Sequence, residues 1–329
     1  MPTYTGISSE AFRHPLDRQA EQALRSVPGF DLLARKFVEF VSERPQFVYQ
    51  MGNSIQVGPR QYGSVYQLFR ECVRDLDMFP EPTLFISQDP YVNAYALGEE
   101  SPLIVLNSGM LDLLNEAELR TVIAHELGHI KCTHTTLTQM GIWATFAINI
   151  IGQATFGLGS LLSGGLQLAF YEWRRKAELS ADRAALLLMD DLNPVMYSMM
   201  KLSGGSVQHI NETSLEEFIR QSDRYQELNQ DGLNQMYRFF LYNIRAQPLS
   251  HPFTVERLHH IREWEKSEEY GQIRRGNYQR ANATGSVNVS SESSPPPRSG
   301  EADDLRRQIE DMQREIDRIR REDDRERMD

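Results

Sequence analysis

Two histidines and a glutamate near the middle of the chain form the pattern His-Glu-x-x-His, as His125, Glu126 and His129. On a helix, positions i and i+4 lie on one face a turn apart, so the two imidazoles can bind a single metal ion. Glu126, next to the first histidine, can then reach a water on that ion. The pattern is typical of zinc hydrolases, but so short a pattern also occurs by chance, so the rest of the chain has to decide.

A catalytic zinc site needs a third protein ligand and one open position. We assign the third ligand to Glu178, which precedes Asp182 by four residues on a predicted helix, so that both carboxylates share a face. Asp182 can accept the second ring N–H of a ligand histidine and so fix its tautomer. The alternative is a solvated helix whose acidic residues pair with the nearby arginines, Arg174, Arg175 and Arg183. The upstream histidine pattern favours the ligand interpretation, and it predicts one Zn²⁺ per chain.

The chemistry expected of such a site is hydrolysis by a zinc-activated water. Zinc lowers the pKa of a bound water toward ~7. Glu126 is then the general base that takes a proton from this water and later delivers one to the leaving amine. The tetrahedral oxyanion also needs a donor besides the metal.

The elements that must position these residues follow from apolar periodicity. Residues 15–78 carry helical patterning, and short apolar runs predict a small sheet over 83–106. Asn115, three residues before Glu118, predicts an N-cap with its capping partner, so a zinc-motif helix should cover 116–134. We therefore expect a mostly helical α+β fold. Further helices are predicted at about 172–190, 194–203, 214–228, 232–245 and from His251-Pro252 to about Glu268.

Three patterns in combination resemble one family of zinc endopeptidases. They are His125-Glu126-x-x-His129, Glu178-x-x-x-Asp182 and His251-Pro252-x-x-x-x-Arg257. From about Thr83 to Ile261 the chain is similar to the HtpX-like and CAAX-prenyl-type gluzincins, family forty-eight of the metallopeptidases. The resemblance implies a gluzincin-type domain with a small sheet whose edge strand faces the cleft.

The resemblance also implies roles for two further segments. Asn93-Ala94-Tyr95-Ala96 matches the family's edge strand that pairs with the substrate backbone, although by itself it is an ordinary strand. His251 and Arg257 carry over as catalytic candidates, either stabilising the oxyanion or gating the zinc. Alternatively, His251-Pro252 is only the start of a helix.

An uncharged stretch separates the histidines from the third ligand. Residues 132–171 contain no Asp, Glu, Lys or Arg, and 141–170 is apolar and rich in glycine. Because His129 and Glu178 must meet on one metal, any membrane crossings between them are even in number, and two crossings need about 40 apolar residues. A buried or re-entrant hairpin fits the composition better than two full spans. We expect 141–170 to contact either a membrane or unfolded apolar substrate.

Composition divides the chain into a domain, a linker and a tail. Residues 1–280 form the expected metallopeptidase domain, and 281–300 are a flexible Ser/Pro linker. Residues 301–329 are highly charged with apolar residues at heptad spacing, which fits either a solvated single helix or a short coil through which chains self-associate.

The overall charge bears on partners and location. The formal charge is −11 without a basic stripe, which argues against nucleic acid as a partner. The N-terminus lacks the basic and apolar regions of a signal peptide, so a cytoplasmic protein is expected, with membrane association through 141–170 left as one of the two alternatives for that segment. We predict a zinc-dependent metalloendopeptidase that cuts extended or misfolded polypeptides. The alternatives are a catalytically silent, zinc-stabilised chaperone-like or binding protein and a membrane-bound processing protease.

Overall fold

The computed structural model describes residues 2–27, 29–40, 43–143, 158–243 and 252–281. Several predictions made from the sequence therefore lie outside the described residues. They concern His251, residues 144–157 within the uncharged stretch, the linker from 282 to 300, and the tail over 301–329. These stay predictions.

Four helices form the N-terminal part of the domain, as the apolar periodicity predicts. The first helix begins with Pro15, whose missing N–H and fixed φ suit the first helical position. His14 caps it, because the His14 Nδ1 accepts the backbone N–H of Leu16 at 3.1 Å. The four helices are α1 (Pro15–Arg25), α2 (Phe30–Phe40), α3 (Arg44–Asn53) and α4 (Gly63–Asp75).

A four-stranded mixed sheet combines a short strand between α3 and α4 with three strands between α4 and the zinc motif. Its strands are β1 (Ile55–Gln56), β2 (Thr83–Ser87), β3 (Ala94–Leu97) and β4 (Leu103–Asn107), in the order β1-β2-β4-β3. β2 and β4 run parallel, whereas β3 lies antiparallel to β4 at the edge. The predicted sheet over 83–106 is confirmed. Strand β1 was not predicted, because two residues are too few to show an alternating pattern.

The remaining helices carry the candidate site. They are α5 (Ser108–Leu113), α6 (Glu116–Lys131), α7 (134–143), α8 (Leu158–Met189), α9 (Leu192–Gly204), α10 (Leu215–Leu228), α11 (Gly232–Asn243), α12 (Thr254–Glu265) and α13 (Glu268–Arg274). The predicted last helix corresponds to α12, and α13 was not predicted; it begins where the Ser267 side chain caps a new helix by accepting from Tyr270 N. The mostly helical α+β fold class is confirmed.

The zinc-motif helix ends three residues earlier than predicted. Thr133 has a positive φ of 57°, a left-handed conformation that cannot continue a right-handed helix. α6 therefore ends at Lys131, and the chain turns before α7 starts at His134. The turn matters for the site because it returns the His134 side chain to the side of His129.

Helix α8 is longer at its N-terminal end than the sequence suggests. It extends back to Leu158, into the uncharged stretch, whereas we predicted a start at about 172. Leu166 and Phe170 on this extension are buried in a core with α1, α2 and α7, next to the fully buried Trp173. Packing within the domain thus accounts for part of the apolar character of 141–170.

Candidate metal centre

Helix α6 presents its two histidines toward one point. The predicted capping box starts the helix: Asn115 Oδ1 accepts from Glu118 N at 3.0 Å, and the Glu118 carboxylate accepts from Asn115 N at 2.9 Å. His125 and His129 follow on one face, with their Nε2 atoms 3.1 Å apart. Two ring nitrogens this close are placed to share a cation.

Helix α8 brings a carboxylate to the same point. Glu178 Oε2 lies 3.2 Å from His125 Nε2, and Glu178 Oε1 lies 3.5 Å from His129 Nε2. The approach depends on Gly128, because a Cβ there would stand 2.7 Å from the Cβ of Ala184 and 3.0 Å from the Cα of Ala181. Small residues on both helices therefore let the α6 and α8 backbones pack closely enough to join the three groups.

The three groups fit zinc in chemistry and spacing. Two imidazoles and one carboxylate are a donor set of catalytic zinc sites, and ligand atoms ~2.0–2.1 Å from a tetrahedral ion stand about 3.3 Å from one another. The spacings of 3.1, 3.2 and 3.5 Å match this value. Among the described residues, His125, His129 and Glu178 are the set whose ligand atoms converge in this way.

Asp182 orients the first histidine. Its Oδ1 lies 3.0 Å from His125 Nδ1, so the ring N–H points to the carboxylate and Nε2 faces the metal position. Burial alone would lower the pKa of His125, but hydrogen bonds to Asp182 and Glu178 outweigh it and raise the pKa to about 9. A metal that binds here displaces a proton.

Arg257 joins the two carboxylates of α8. Its guanidinium donates to Asp182 Oδ2 at 2.9 Å and to Asp182 Oδ1 at 2.5 Å, and it lies 3.3 Å from Glu178 Oε2. Burial would raise the pKa of Asp182, but the charge of Arg257 and its hydrogen bonds hold that pKa below its usual range. The guanidinium is thus engaged with acidic side chains of the site. His251, the other residue we predicted beside Arg257, lies outside the described residues.

Glu126 is buried beside the converging ligand atoms and lines the same cleft. Burial raises its pKa, while His129 and His125 act in the opposite direction. A carboxyl group whose pKa is moved toward neutrality is a better general base near pH 7 than an exposed one.

A third histidine lies behind His129. The Nδ1 atoms of His129 and His134 are 3.0 Å apart, and His134 Nε2 lies 3.0 Å from the carboxylate of Asp17 on α1. His134 and Asp17 are both fully buried. Sequence reasoning missed Asp17, because neither it nor its surroundings carry a recognisable motif. Its one local signal is Arg13, a residue of opposite charge four positions earlier.

The cleft in front of the ligands has a volume of about 660 Å³ and is lined along one side by Asn93 and strand β3. Asn107 N donates to Asn93 O at 3.0 Å, and Ala94 stands opposite Leu106 in the antiparallel register. Because hydrogen-bonded and non-hydrogen-bonded pairs alternate in such a ladder, the backbone groups of Ala94 and Ala96 point away from β4. The outer edge of β3 therefore offers donors and acceptors to the cleft.

The sequence model of peptidase family M48 matches residues 59–265, which include the converging ligands, Glu126, Asp182, Arg257 and the edge strand. The chain belongs to peptidase family M48. The family suspected from the sequence is thereby confirmed. Members of M48 are metallopeptidases, and zinc is the metal typical of the family.

M48 relatives differ in how much of this chain they cover. The plastoglobule-localized metallopeptidase 48 of Arabidopsis thaliana is 33% identical over 271 residues, which are 81% of this chain and 76% of that protein. A protease HtpX homolog of Helicobacter pylori is 29% identical over 177 residues, 47% of this chain and 57% of that protein. The chain thus spans little more than half the length of that HtpX homolog. No solved structure gives a significant match.

The structure also bears on the predicted membrane contact and on the edge strand. In the part of the chain that the structure describes, no helix combines the length and the apolar character needed to cross a membrane. Strand β3 lies at the edge of the sheet beside the cleft, as the resemblance implied. The roles of the individual site residues stay predictions, although the structure places Glu126, Asp182, Arg257 and Asn93–Ala96 around one cleft.

Proposed function

We propose that the chain is a zinc-dependent endopeptidase that hydrolyses peptide bonds of extended or misfolded polypeptides. The observation that carries the proposal is the convergence of His125, His129 and Glu178 in a cleft whose wall includes β3, the edge strand of the sheet. When bound, zinc supplies Lewis acidity for a water molecule and for the scissile carbonyl.

The chain's own residues divide the remaining work. Glu126 takes the proton of the attacking water and passes a proton to the leaving amine, because it lies beside the ligands and its pKa is raised by burial. Asp182 holds His125 in the tautomer that leaves Nε2 for the metal. The outward backbone groups of Ala94 and Ala96 hold the substrate as an added strand, which selects extended chain over folded protein.

The general-base assignment is tested with Glu126→Gln, which keeps the shape of the side chain and removes its basicity. Cleavage of denatured casein should fall by about 10²- to 10⁴-fold while zinc content stays near one per chain. Glu116→Gln, at an exposed position in the first turn of the same helix, is the matched control and should cleave normally. Wild-type cleavage by Glu126→Gln would contradict the mechanism, and a wild-type protein that binds denatured casein without cutting it would support a silent binding protein instead.

Strand addition is tested at the first residue of β3. Ala94→Pro removes an outward N–H at a strand position where proline is tolerated. Loss of one hydrogen bond to the substrate, about 1 kcal/mol, should raise the KM for denatured casein about fivefold without changing zinc content. Ala94→Ser keeps the N–H and serves as the control. Equal KM values for the two variants would show that the substrate does not pair with this edge.

We also propose that the enzyme works at a lipid surface. α11 carries exposed large apolar side chains at helical spacing, namely Leu233, Met236, Tyr237 and Leu241. Exposed Ile142 and Leu168 lie on α7 and α8, the helices that flank the uncharged segment 144–157. An apolar helical face of this kind suits the interface of a lipid layer. A plastoglobule location is stated in the name of the Arabidopsis relative and supports the same environment here.

Vesicle flotation tests this location. With a formal charge of −11, the protein should float with neutral phosphatidylcholine vesicles better than with anionic ones. Replacing Leu233, Met236 and Leu241 of α11 by Gln should abolish flotation. The same replacement of exposed Val48 and Met51 on α3 is the control and should have no effect. Wild-type flotation by the α11 variant would refute the role of this face, and a wild-type protein that does not float would refute the lipid location.

A further inference from the structure

The carboxylate of Asp17 is surrounded by hydrogen-bond donors. Asp17 Oδ2 accepts from Arg13 Nε at 2.8 Å and from Ser180 Oγ at 2.7 Å, and Asp17 Oδ1 accepts from Arg13 Nη2 at 3.1 Å. Burial would raise the pKa of Asp17, but His134 and Arg13 hold it well below its usual range. Because the permanently charged guanidinium of Arg13 donates to both of its oxygens, the buried carboxylate is ionised and acts as an acceptor.

This carboxylate determines which nitrogen of each histidine carries a proton. Because Asp17 can only accept, the proton of neutral His134 lies on Nε2, 3.0 Å from Asp17 Oδ2. His134 Nδ1 is then an acceptor, so the His129 Nδ1, 3.0 Å away, must be the donor. With its proton on Nδ1, His129 has the Nε2 lone pair directed at His125 and Glu178, where the metal belongs.

We propose that Asp17, acting through His134, is the positioning residue for the metal ligand His129. The proposal rests on the proposed zinc-dependent function. It extends the site to α1, which precedes the residues 59–265 that match the family. The two metal-binding histidines are then each held by a carboxylate, His125 directly by Asp182 and His129 through an intervening imidazole.

Zinc affinity, measured by competition with a chromophoric chelator, tests the proposal independently of peptidase activity. Asp17→Asn replaces the carboxylate, which only accepts, by an amide whose NH₂ group cannot accept from Arg13, Ser180 or His134. The variant should bind zinc about 10- to 100-fold more weakly, which is the usual effect of losing the hydrogen-bond partner behind a metal ligand. Glu21→Gln is the matched control, since Glu21 is one turn further along α1 and pairs with the same Arg13 without touching His134. It should bind zinc as the wild type does. Wild-type affinity in folded Asp17→Asn would overturn the proposal.

A second variant keeps the test decisive if Asp17→Asn does not fold. His134→Phe removes the link to His129 but leaves Asp17 paired with Arg13 and Ser180. It should lose zinc affinity to the same extent. In the double variant the losses should not add, because Asp17 acts through His134. Additive losses would mean that Asp17 does not act through His134, and would overturn the proposal.

A spectroscopic signature separates positioning from general stability. In zinc-loaded protein with ¹⁵N-labelled histidine, the ring shifts should show His134 protonated at Nε2 and His129 protonated at Nδ1. Asp17→Asn should change the His134 pattern and leave His125, which Asp182 holds, unchanged. Protonation of His134 at Nδ1 in the wild type would overturn the proposal. A wild type that binds zinc tightly but cuts no polypeptide would refute the proposed function and leave these zinc and NMR results valid.

Discussion

Arg257 balances the charge of two carboxylates that the fold buries side by side. Its guanidinium forms two hydrogen bonds to Asp182 and lies 3.3 Å from Glu178. Removing one partner of a buried ion pair leaves an uncompensated charge, which costs far more than the pair itself contributes. The residue that the resemblance proposed for oxyanion stabilisation or gating thus has a further, electrostatic task.

This task leads to a prediction for Arg257→Met. In chelator the variant should lose about 3 kcal/mol of unfolding free energy, because Asp182 and Glu178 stay buried without a counterion. With zinc bound the loss should be smaller, since the ion supplies positive charge next to Glu178. Urea unfolding with chelator and with zinc measures both values. The control is Arg262→Met, which lies on the same helix as Arg257 and breaks a solvent-accessible pair with Asp223 of α10; it should cost less than about 1 kcal/mol. Equal losses in the two conditions would contradict the prediction.

The site residues that could be predicted from the sequence are those that lie close to one another in the chain. His125 and His129, like Glu178 and Asp182, are four positions apart, so the helical period alone places each pair on one face. Asp17 could not be found in this way, because it lies 117 positions before His134 and only the packing of α1 against α7 joins them.

Gly128 determines how closely helices α6 and α8 pack, and this spacing brings the candidate metal ligands together. Gly128→Ala adds a methyl group 2.7 Å from Ala184 Cβ and 3.0 Å from the backbone of Ala181, so α6 and α8 must move apart. We expect a loss of about 1–3 kcal/mol in unfolding free energy, together with weaker zinc binding. Thermal unfolding and chelator competition measure the two effects. Gly165→Ala on α8, where a Cβ meets nothing within 4 Å, is the control and should not weaken zinc binding. Unchanged zinc affinity in Gly128→Ala would refute the link between helix spacing and the site.

Element boundaries were predicted least well where tertiary packing overrides the local pattern. The uncharged residues before 172 suggested a separate hairpin, yet Leu166 and Phe170 continue α8 because α1 and α2 cover them. The break after Lys131 was missed for a similar reason, since nothing in the sequence marks Thr133 for a left-handed conformation. Periodicity identifies a buried face but not the partner that buries it.

At the scale of the whole molecule, the packing of α1 against α8 and α12 makes stability depend on pH. Burial, with the charges of Arg183 and His260, lowers the pKa of His14 from 6.5 to about 3. Burial also lowers the pKa of His260, whose ring lies edge-to-face with that of His14 at 5.2 Å. In the unfolded chain the two histidines bind protons near pH 6.5, whereas in the folded protein they bind protons only at lower pH. The unfolding free energy should therefore fall as pH falls from about 6.5 toward 3, by up to about 1.4 kcal/mol per pH unit for each histidine.

The variant that isolates this effect is His14→Asn. Asparagine keeps an acceptor for the N-cap of α1 but does not titrate. Urea unfolding at pH 7, 6, 5 and 4 should show a flatter dependence than in the wild type. His209→Asn, at an exposed position away from this packing, should reproduce the wild-type curve. A His14→Asn curve parallel to the wild-type curve would refute the assignment.

The groups around the metal position come from five helices spread along the chain. α1 contributes Asp17, α6 the two histidines, α7 His134, α8 Glu178 and α12 Arg257. During synthesis, Arg257 leaves the ribosome only after almost the entire domain has been made. The full set of these groups can therefore assemble only after nearly the whole domain has left the ribosome, so a nascent chain does not yet carry the complete site that we propose for peptide hydrolysis.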